Sequence, residues 1–447
     1  MAQAQGKSKK KIGMTTWILI AVVLGMLFGL LVPANPIVTD ILKTIGQIFL
    51  RLIQMSIILL VMGQIIQAIG GLKMNELGKI GYKTLVVFFL SSLIASVFAV
   101  VIGYLLKPGA GLDLSAIQTT VTVEANKTTI WDTLLNFIPT NAIKAMSDGN
   151  IMQAIIFALF FGIAISFVGK DSNLALFDMI KEFNRVILRV ITMIMQVAPY
   201  GVFALIASSI ASYGIQVVIP LAKYLGVFAV IDLAFITVYI LVVSGVTRVG
   251  IGDIVRGLGR MSAMAVATGS SAVTLPTAMQ DVENKLGVGK KVSRIMMPLG
   301  VTLNSNGAAI HMTITLITIA QMYAVSFSAG DILFMVILCT LASVANAVVP
   351  GAGIVSLTIV VPQMGLPLES IALFAGIEIF VGMLRTILNV DGDALAAMLV
   401  AKSENVIDLE KVKRARNLSD EELVELAAKE QAEEEELTRN LAPEATR

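Results

Sequence analysis

The chain has 447 residues, of which 56% are hydrophobic and only 14% charged, with a formal net charge of +2 and a mean hydropathy of +0.86. Too few charges are present to cover a soluble domain of this size, and apolar runs separated by short charged loops indicate a polytopic membrane protein. The near-neutral balance gives no sign of nucleic acid, the single cysteine (Cys339) excludes an intramolecular disulfide or a cysteine metal cluster, and the single histidine (His311) excludes the usual zinc motifs.

Lys7, Lys9, Lys10 and Lys11 precede an apolar segment at 15–32, which is longer than a signal-peptide core and is expected to be a retained first span with a cytoplasmic basic flank. Six runs, near 15–32, 45–69, 84–106, 151–168, 187–210 and 217–246, can each cross about 30 Å of hydrocarbon, which needs about 20 helical residues. Alternating them places Lys73, Lys79 and Lys83, then Lys170, Lys181 and Arg185, then Arg248, Arg256 and Arg260 on the cytoplasmic side, while the loop at 212–216, expected outside, has no basic residue. Residues 107–150, rich in Thr, Asn and Gly, are expected to form irregular or short helical structure outside, with Trp131 near the interface.

Beyond Arg260 the alternation breaks. The run 261–279 is followed by Lys285, Lys290, Lys291 and Arg294, so both its ends are basic, and Gly, Ser, Thr and Pro at 269–276 suggest a hairpin that enters and leaves by the cytoplasmic face. The run 295–323 should cross outward as a helix broken at 302–309, where Asn304, Asn306 and Gly307 are poor helix formers. No Lys or Arg flanks 331–361, which fits a second hairpin dipping from outside with its tip near 343–353. The last span, 377–402, carries Glu378, Arg385, Asn389, Asp391 and Asp393; steps of three and four put 378, 382, 385, 389 and 393 on one helical stripe. Intramembrane charges of this kind pair with one another or line a solute path, so Arg385 and Asp393 are expected to mark a binding site. Two interrupted segments of opposite orientation, each followed by a span, are the sign of an inverted repeat. From 403 onward Glu, Lys, Arg and Ala dominate, with four glutamates at 433–436, as in a solvated cytoplasmic tail with helix expected at 420–436.

The segments G-S-S-A-V-T-L-P at 269–276, P-L-G-V-T-L-N-S-N-G at 298–307, V-P-G-A-G at 349–353 and R-T-I-L-N-V-D-G-D at 385–393 resemble the dicarboxylate/amino acid:cation symporter family, which includes the glutamate transporter homologues, over nearly the whole chain to about 402. The resemblance implies an all-α membrane protein with eight transmembrane helices and two re-entrant hairpins, inverted repeats and elevator-type alternating access in a homotrimer. It further implies this division: a basic N-terminus at 1–14, scaffold helices one and two at 15–83, transport helix three at 84–107, an external loop with scaffold helices four and five at 108–215, a transport domain at 216–402 and the tail at 403–447. By position it assigns Ser270, Ser271, Ala308, Val349, Gly351, Gly382, Arg385, Thr386 and Asn389 to the solute, with Arg385 meeting a carboxylate. It assigns Thr302, Asn304, Asn306, Asn389, Asp393, Ser91 and Ser92, with Phe88 beside them, to coupling sodium ions.

Departures from the family pattern bear on cargo and ion. Gly382 stands where amino acid carriers have an aspartate for the solute ammonium, which favours a dicarboxylate over an acidic or neutral amino acid. Asn306 replaces a cation-binding carboxylate and Ala308 a hydroxyl residue, leaving coupling by Na+, coupling by H+ and uncoupled exchange all open. Plainer readings stand beside these: Arg385 as a partner of Glu378 or Asp391, Asp393 as a packing residue, Ser270 and Ser271 as small packing residues, His311 as either a packed histidine or a proton carrier. An enzyme is not expected, since only Ser270 or Ser271 with His311 could form a nucleophile–base pair and no G-x-S-x-G pattern supports it; an ion channel is the more distant alternative. The expected setting is the inner (cytoplasmic) membrane with both termini inside and a small carboxylate solute as cargo.

Overall fold

The computed structural model describes residues 14–31, 35–71, 74–110, 137–168, 175–214, 218–345 and 351–419, with Leu135 and positions 422, 423, 426 and 429. Among them the secondary structure is helical, with one isolated antiparallel bridge between Val288 and Ile407. In order, the helices are α1 (Met14–Leu31), α2 (Pro36–Gly70), α3 (Met74–Leu106), α4 (Ala142–Ser147), α5 (Ile151–Val168), α6 (Ala175–Gln196), α7 (Ala198–Tyr213), α8 (Val218–Thr247) and α9 (Ile251–Thr268). They continue as α10 (Ser271–Asn284), α11 (Lys290–Leu303), α12 (Asn306–Met322), α13 (Ala329–Val344), α14 (Ala352–Gln363), α15 (Ile371–Ala375), α16 (Glu378–Ser403) and α17 (Leu409–Ala415). By length and composition four described helices can cross a membrane, or six if each of two bent pairs is one span. Trp131, Val349 and the glutamates at 433–436 lie outside the described residues.

The chain divides into two compact units, one drawn from 1–71, 99–229 and 311–382, the other from 72–98, 230–310 and 383–447. In the first, α1 meets α7 through Gly25 and Gly29, where a Cβ would stand 2.9 Å from the Phe203 carbonyl oxygen and 2.7 Å from that of Ala207. Small residues four apart are what let two membrane helices touch backbone to backbone. α6 is two-faced. Asn184, Ile187, Ile191 and Ile194 are buried while Asp178–Lys181 and Glu182–Arg185 pair at 2.6 and 2.9 Å on the exposed side, and Asn184 Nδ2 donates to Gln67 Oε1 of α2 at 2.7 Å.

The single span expected at 187–210 is instead two helices meeting at a 53° bend. Pro199, in the first turn of α7, has no N–H for a continuous helix, and its ring would clash with the Met195 carbonyl. Farther along the same unit, Ser328 and Asp331 form a capping box that opens α13. The tip at 346–350 lies outside the described residues, and α14 resumes after Gly351, whose φ of 74° suits glycine. Glu378 accepts a hydrogen bond from Gly353 N at 2.9 Å, placing an acidic group at the positive end of α14.

In the second unit α9 and α10 are antiparallel arms of one hairpin: Gly257 meets Leu286, Arg260 reaches Gln280 and Asp281, and Thr268 meets Thr274. The arms turn at Gly269, left-handed with φ 58°, and Ser270 caps α10. At the base the buried Asp281 pairs with Arg260 at 3.1 Å and Lys285 at 3.0 Å, so the basic residues that set orientation in the sequence are partly neutralised. The first stretch after 403, expected to be solvated, is docked on this base. Gly289 N donates to Val406 O and Asp408 N to Gly287 O, Val412 and Ala415 of α17 are buried, and Arg416 grips Asp253 with two bonds of 2.7 and 2.6 Å. Lys83 beside Glu404 holds that carboxyl below its usual range.

Candidate functional site: an oxygen cluster at a broken helix

Residues 302–309 break the helix where the sequence predicts it. α11 ends at Leu303, Asn304 is extended at φ −121° and ψ 102°, and α12 starts at Asn306. Asn and Ser side chains compete with backbone partners, which makes this run a poor helix, and a break leaves N–H groups without intrahelical acceptors. One of them, Gly307 N, donates to Asn389 Oδ1 of α16 at 2.8 Å. Asn389 therefore caps α12 from a neighbouring helix. Gly307 itself lies against the Arg385 backbone, where any Cβ would collide.

Around the break, side chains converge from α3 and α16. Ser91 Oγ lies 3.1 Å from both Asn304 Oδ1 and Asn306 Oδ1, and 3.0 Å from Phe88 O. Ser92 Oγ is 3.0 Å from Asn306 Oδ1 and 3.4 Å from Asn304 Oδ1. Asn304 Nδ2 donates to Asp393 Oδ1 at 2.8 Å. Every member is buried, with Asn306 at 0% and Asp393 at 2% exposure. A side chain at Gly300 would strike the Asp393 carboxylate, so the helix before the break must be bare at that point.

Each serine carries one proton and faces more than one acceptor. Five side-chain oxygens, one of them in a carboxylate, are thus held together with few protons to share, in a place where an unpaired charge is opposed by desolvation. Hard oxygen donors with no sulfur or imidazole suit a hard cation such as sodium. Among the described residues no cluster of three His, Cys, Asp or Glu exists, so neutral oxygens must supply most of the ligands.

Ser91, Ser92, Asn304, Asn306, Asn389 and Asp393 are thereby brought together with the Arg385 backbone. Thr302 is not. It is exposed, and its hydroxyl is spent on Leu299 O at 3.0 Å. Ser270 and Ser271 sit half-buried at the first hairpin turn, where the Ser270 side chain accepts from Val273 N. Ala308 and Thr386 are buried on α12 and α16, Gly382 is half-buried on α16, Gly351 opens α14, and Val349 falls outside the described residues. Asp391, off the stripe, accepts from Ser262 of the hairpin, 2.9 Å from each carboxylate oxygen. His311 is buried, its ring edge-on to Phe228 at 5.9 Å. Sequence reasoning missed the Asn389 cap, the Ser262–Asp391 bond and the buried Tyr239 near Ser91; a hydroxyl or short polar side chain within an apolar run was the only signal available.

The chain is similar to a proton/sodium-glutamate symport protein of Bacillus caldotenax, 30% identical over 413 residues that cover 91% of this chain and 98% of the relative. It is likewise 30% identical to a proton/glutamate-aspartate symporter of Escherichia coli (strain K12), covering 90% and 95%. A C4-dicarboxylate transport protein of Deinococcus radiodurans is also 30% identical, covering 90% and 92%. With its several membrane-capable helices the chain is a multi-pass membrane protein. The model of the sodium:dicarboxylate symporter family matches residues 14–403, and the chain belongs to that family.

Proposed function

We propose that this chain is a secondary carrier that moves a small carboxylate solute across the cytoplasmic membrane, driven by a cation gradient. The observation that carries the reading is the buried cluster of Ser91, Ser92, Asn304, Asn306 and Asp393 at a helix break, a constellation suited to a desolvated cation. Names of the relatives supply both candidate cargoes, glutamate and a C4-dicarboxylate, and both candidate ions, sodium and the proton. Gly382 tips the choice toward a dicarboxylate, because no carboxylate stands there to meet an α-ammonium.

In this reading Arg385 holds one cargo carboxylate, Thr386, Ala308 and the turn at Ser270–Ser271 shape the rest of the site, and the second hairpin tip with Val349 and Gly351 closes it from outside. Asn389 acts through Gly307, fixing the start of α12. Eight spans and two re-entrant hairpins, residues 15–83 and 108–215 as scaffold, 84–107 and 216–402 as mobile domain, an elevator stroke, a homotrimer, the sodium role of Thr302 and cytoplasmic termini complete the proposal.

Purified protein in liposomes, given labelled succinate or glutamate and an imposed sodium or proton gradient, is expected to accumulate cargo above equilibrium. Arg385→Ala should weaken a dianion far more than a neutral solute. Equilibration without accumulation under every gradient, accompanied by steady current, would instead mark a channel.

A further inference from the structure

Asp232 stands near the midpoint of the 30-residue α8, so a rise of about 1.5 Å per residue puts it roughly 20 Å from either end of the helix. It is 6% exposed, and neither carboxylate oxygen has a hydrogen-bond partner among the described residues. Steps of three and seven place Phe235 and Tyr239 on the same face. Both are buried; the Phe235 ring meets Phe98 of α3 at 5.7 Å and Tyr239 at 5.9 Å, while Tyr239 lies next to Ser91 of the oxygen cluster. This face of α8 therefore looks into protein, and the carboxyl with it.

On α8 itself the other titratable groups are Lys223, Tyr224 and Tyr239; from neighbouring elements, Asp393 of α16 belongs to the cluster that holds Ser91, and His311 of α12 stacks edge-on against Phe228 one turn earlier on α8. Two chemistries can satisfy a carboxyl in such a place: a bound proton, or a metal cation with several oxygen ligands. Among the described residues no three of His, Cys, Asp or Glu come together to hold a metal ion, and the neighbours of Asp232 on its own face of α8 are the aromatic Phe235 and Tyr239, which favours the proton.

We propose that Asp232 is a proton-binding site of the transport cycle. The carboxylate forms an O–H bond with a proton taken from hydronium on one side of the membrane, crosses as a neutral acid with the cargo, and returns the proton to water on the other side. One proton thus moves with each turnover, separately from any ion held at the Ser91–Asp393 cluster. The inference rests on the carrier reading above.

The test uses the full chain in liposomes holding a pH-sensitive dye, with labelled succinate or glutamate added outside. Wild type should acidify the lumen in step with uptake. Asp232→Asn should lose the proton signal, and Asp232→Glu should restore it with a displaced pH midpoint. Cargo uptake without acidification in wild type, or an Asn variant with the wild-type proton-to-cargo ratio, overturns the proposal while leaving the carrier reading intact. No cargo movement by wild type at all defeats the carrier reading instead. If the Asn variant does not purify folded, the Glu variant decides, and an unchanged pH midpoint overturns the assignment.

Discussion

Two of the helix interruptions among the described residues, one in each unit, are made by different chemistry. Between α6 and α7 the breaker is Pro199, and the backbone repairs itself locally: Val197 N donates to Ile194 O at 3.1 Å, and Gly201 N to Val197 O at 3.2 Å. The surrounding buried side chains, Ile194, Met195, Ala198 and Val202, are apolar. Between α11 and α12 the breakers are Asn304, Ser305 and Asn306, and one freed N–H is satisfied by a side chain from another helix while two serines and a carboxylate close in. A ring that removes a donor makes a bend and little else. Side-chain amides that break a helix remain as polar groups in the gap, and burial obliges the fold to gather partners for them.

The contrast is tested hardest at Asp393. Asp393→Ala removes the cluster's formal charge, and in the proposed reading cation affinity should fall by about 10- to 100-fold. The sodium or proton concentration needed for half-maximal stabilisation in a thermal-unfolding titration should rise accordingly, since a ligand that binds only the folded state raises its melting temperature. An unchanged titration would remove the cluster from coupling. Asn306→Asp should act in the opposite sense. It places a second carboxylate against Ser91 and Ser92, so without cation the protein should melt earlier from repulsion with Asp393. With sodium present the affinity should tighten by about tenfold, roughly 1.4 kcal/mol. Equal melting of this variant with and without sodium would sink the idea that a carboxylate at 306 adds to a sodium site.

The sequence showed one of these interruptions and concealed the other for the same reason. Asn304, Asn306 and Gly307 announce a break because three weak helix formers stand together in an apolar run. Pro199 stands alone among good spanning residues, and counting hydrophobic residues over 187–210 takes no account of where its ring points. The stripe on α16 was legible from spacing; its Arg385, Asn389 and Asp393 are buried, as are Thr386, Leu388, Val390 and Asp391 off it. That Asn389 caps α12 was not, because a capping partner 82 positions away leaves no local pattern. Glu378 accepts the Gly353 N–H and Asp391 the Ser262 hydroxyl, bonds that no spacing in the sequence announced. Charge composition likewise marked everything after 403 as solvated, although Val412 and Ala415 supply a small apolar face and Arg416 finds Asp253.

The smallest expected effect is at the proline. Pro199→Ala restores an N–H and removes the clash with Met195, so α6 and α7 can straighten toward one helix. Stability should change by about 1 kcal/mol or less, because the bend is satisfied by local bonds that a straighter helix merely exchanges for others. More to the point, the cation titration should stay within about twofold of wild type, a shift of roughly 0.4 kcal/mol, since no polar side chain was gathered at the bend. Measured beside Asn306→Asp, this variant asks whether the kind of breaker, and not the mere presence of a break, decides where an ion can bind. If straightening the proline bend moved the sodium midpoint as far as adding a carboxylate at 306, the division between a mechanical bend and a liganding break would be wrong, and both interruptions would have to be treated as parts of one coupling device.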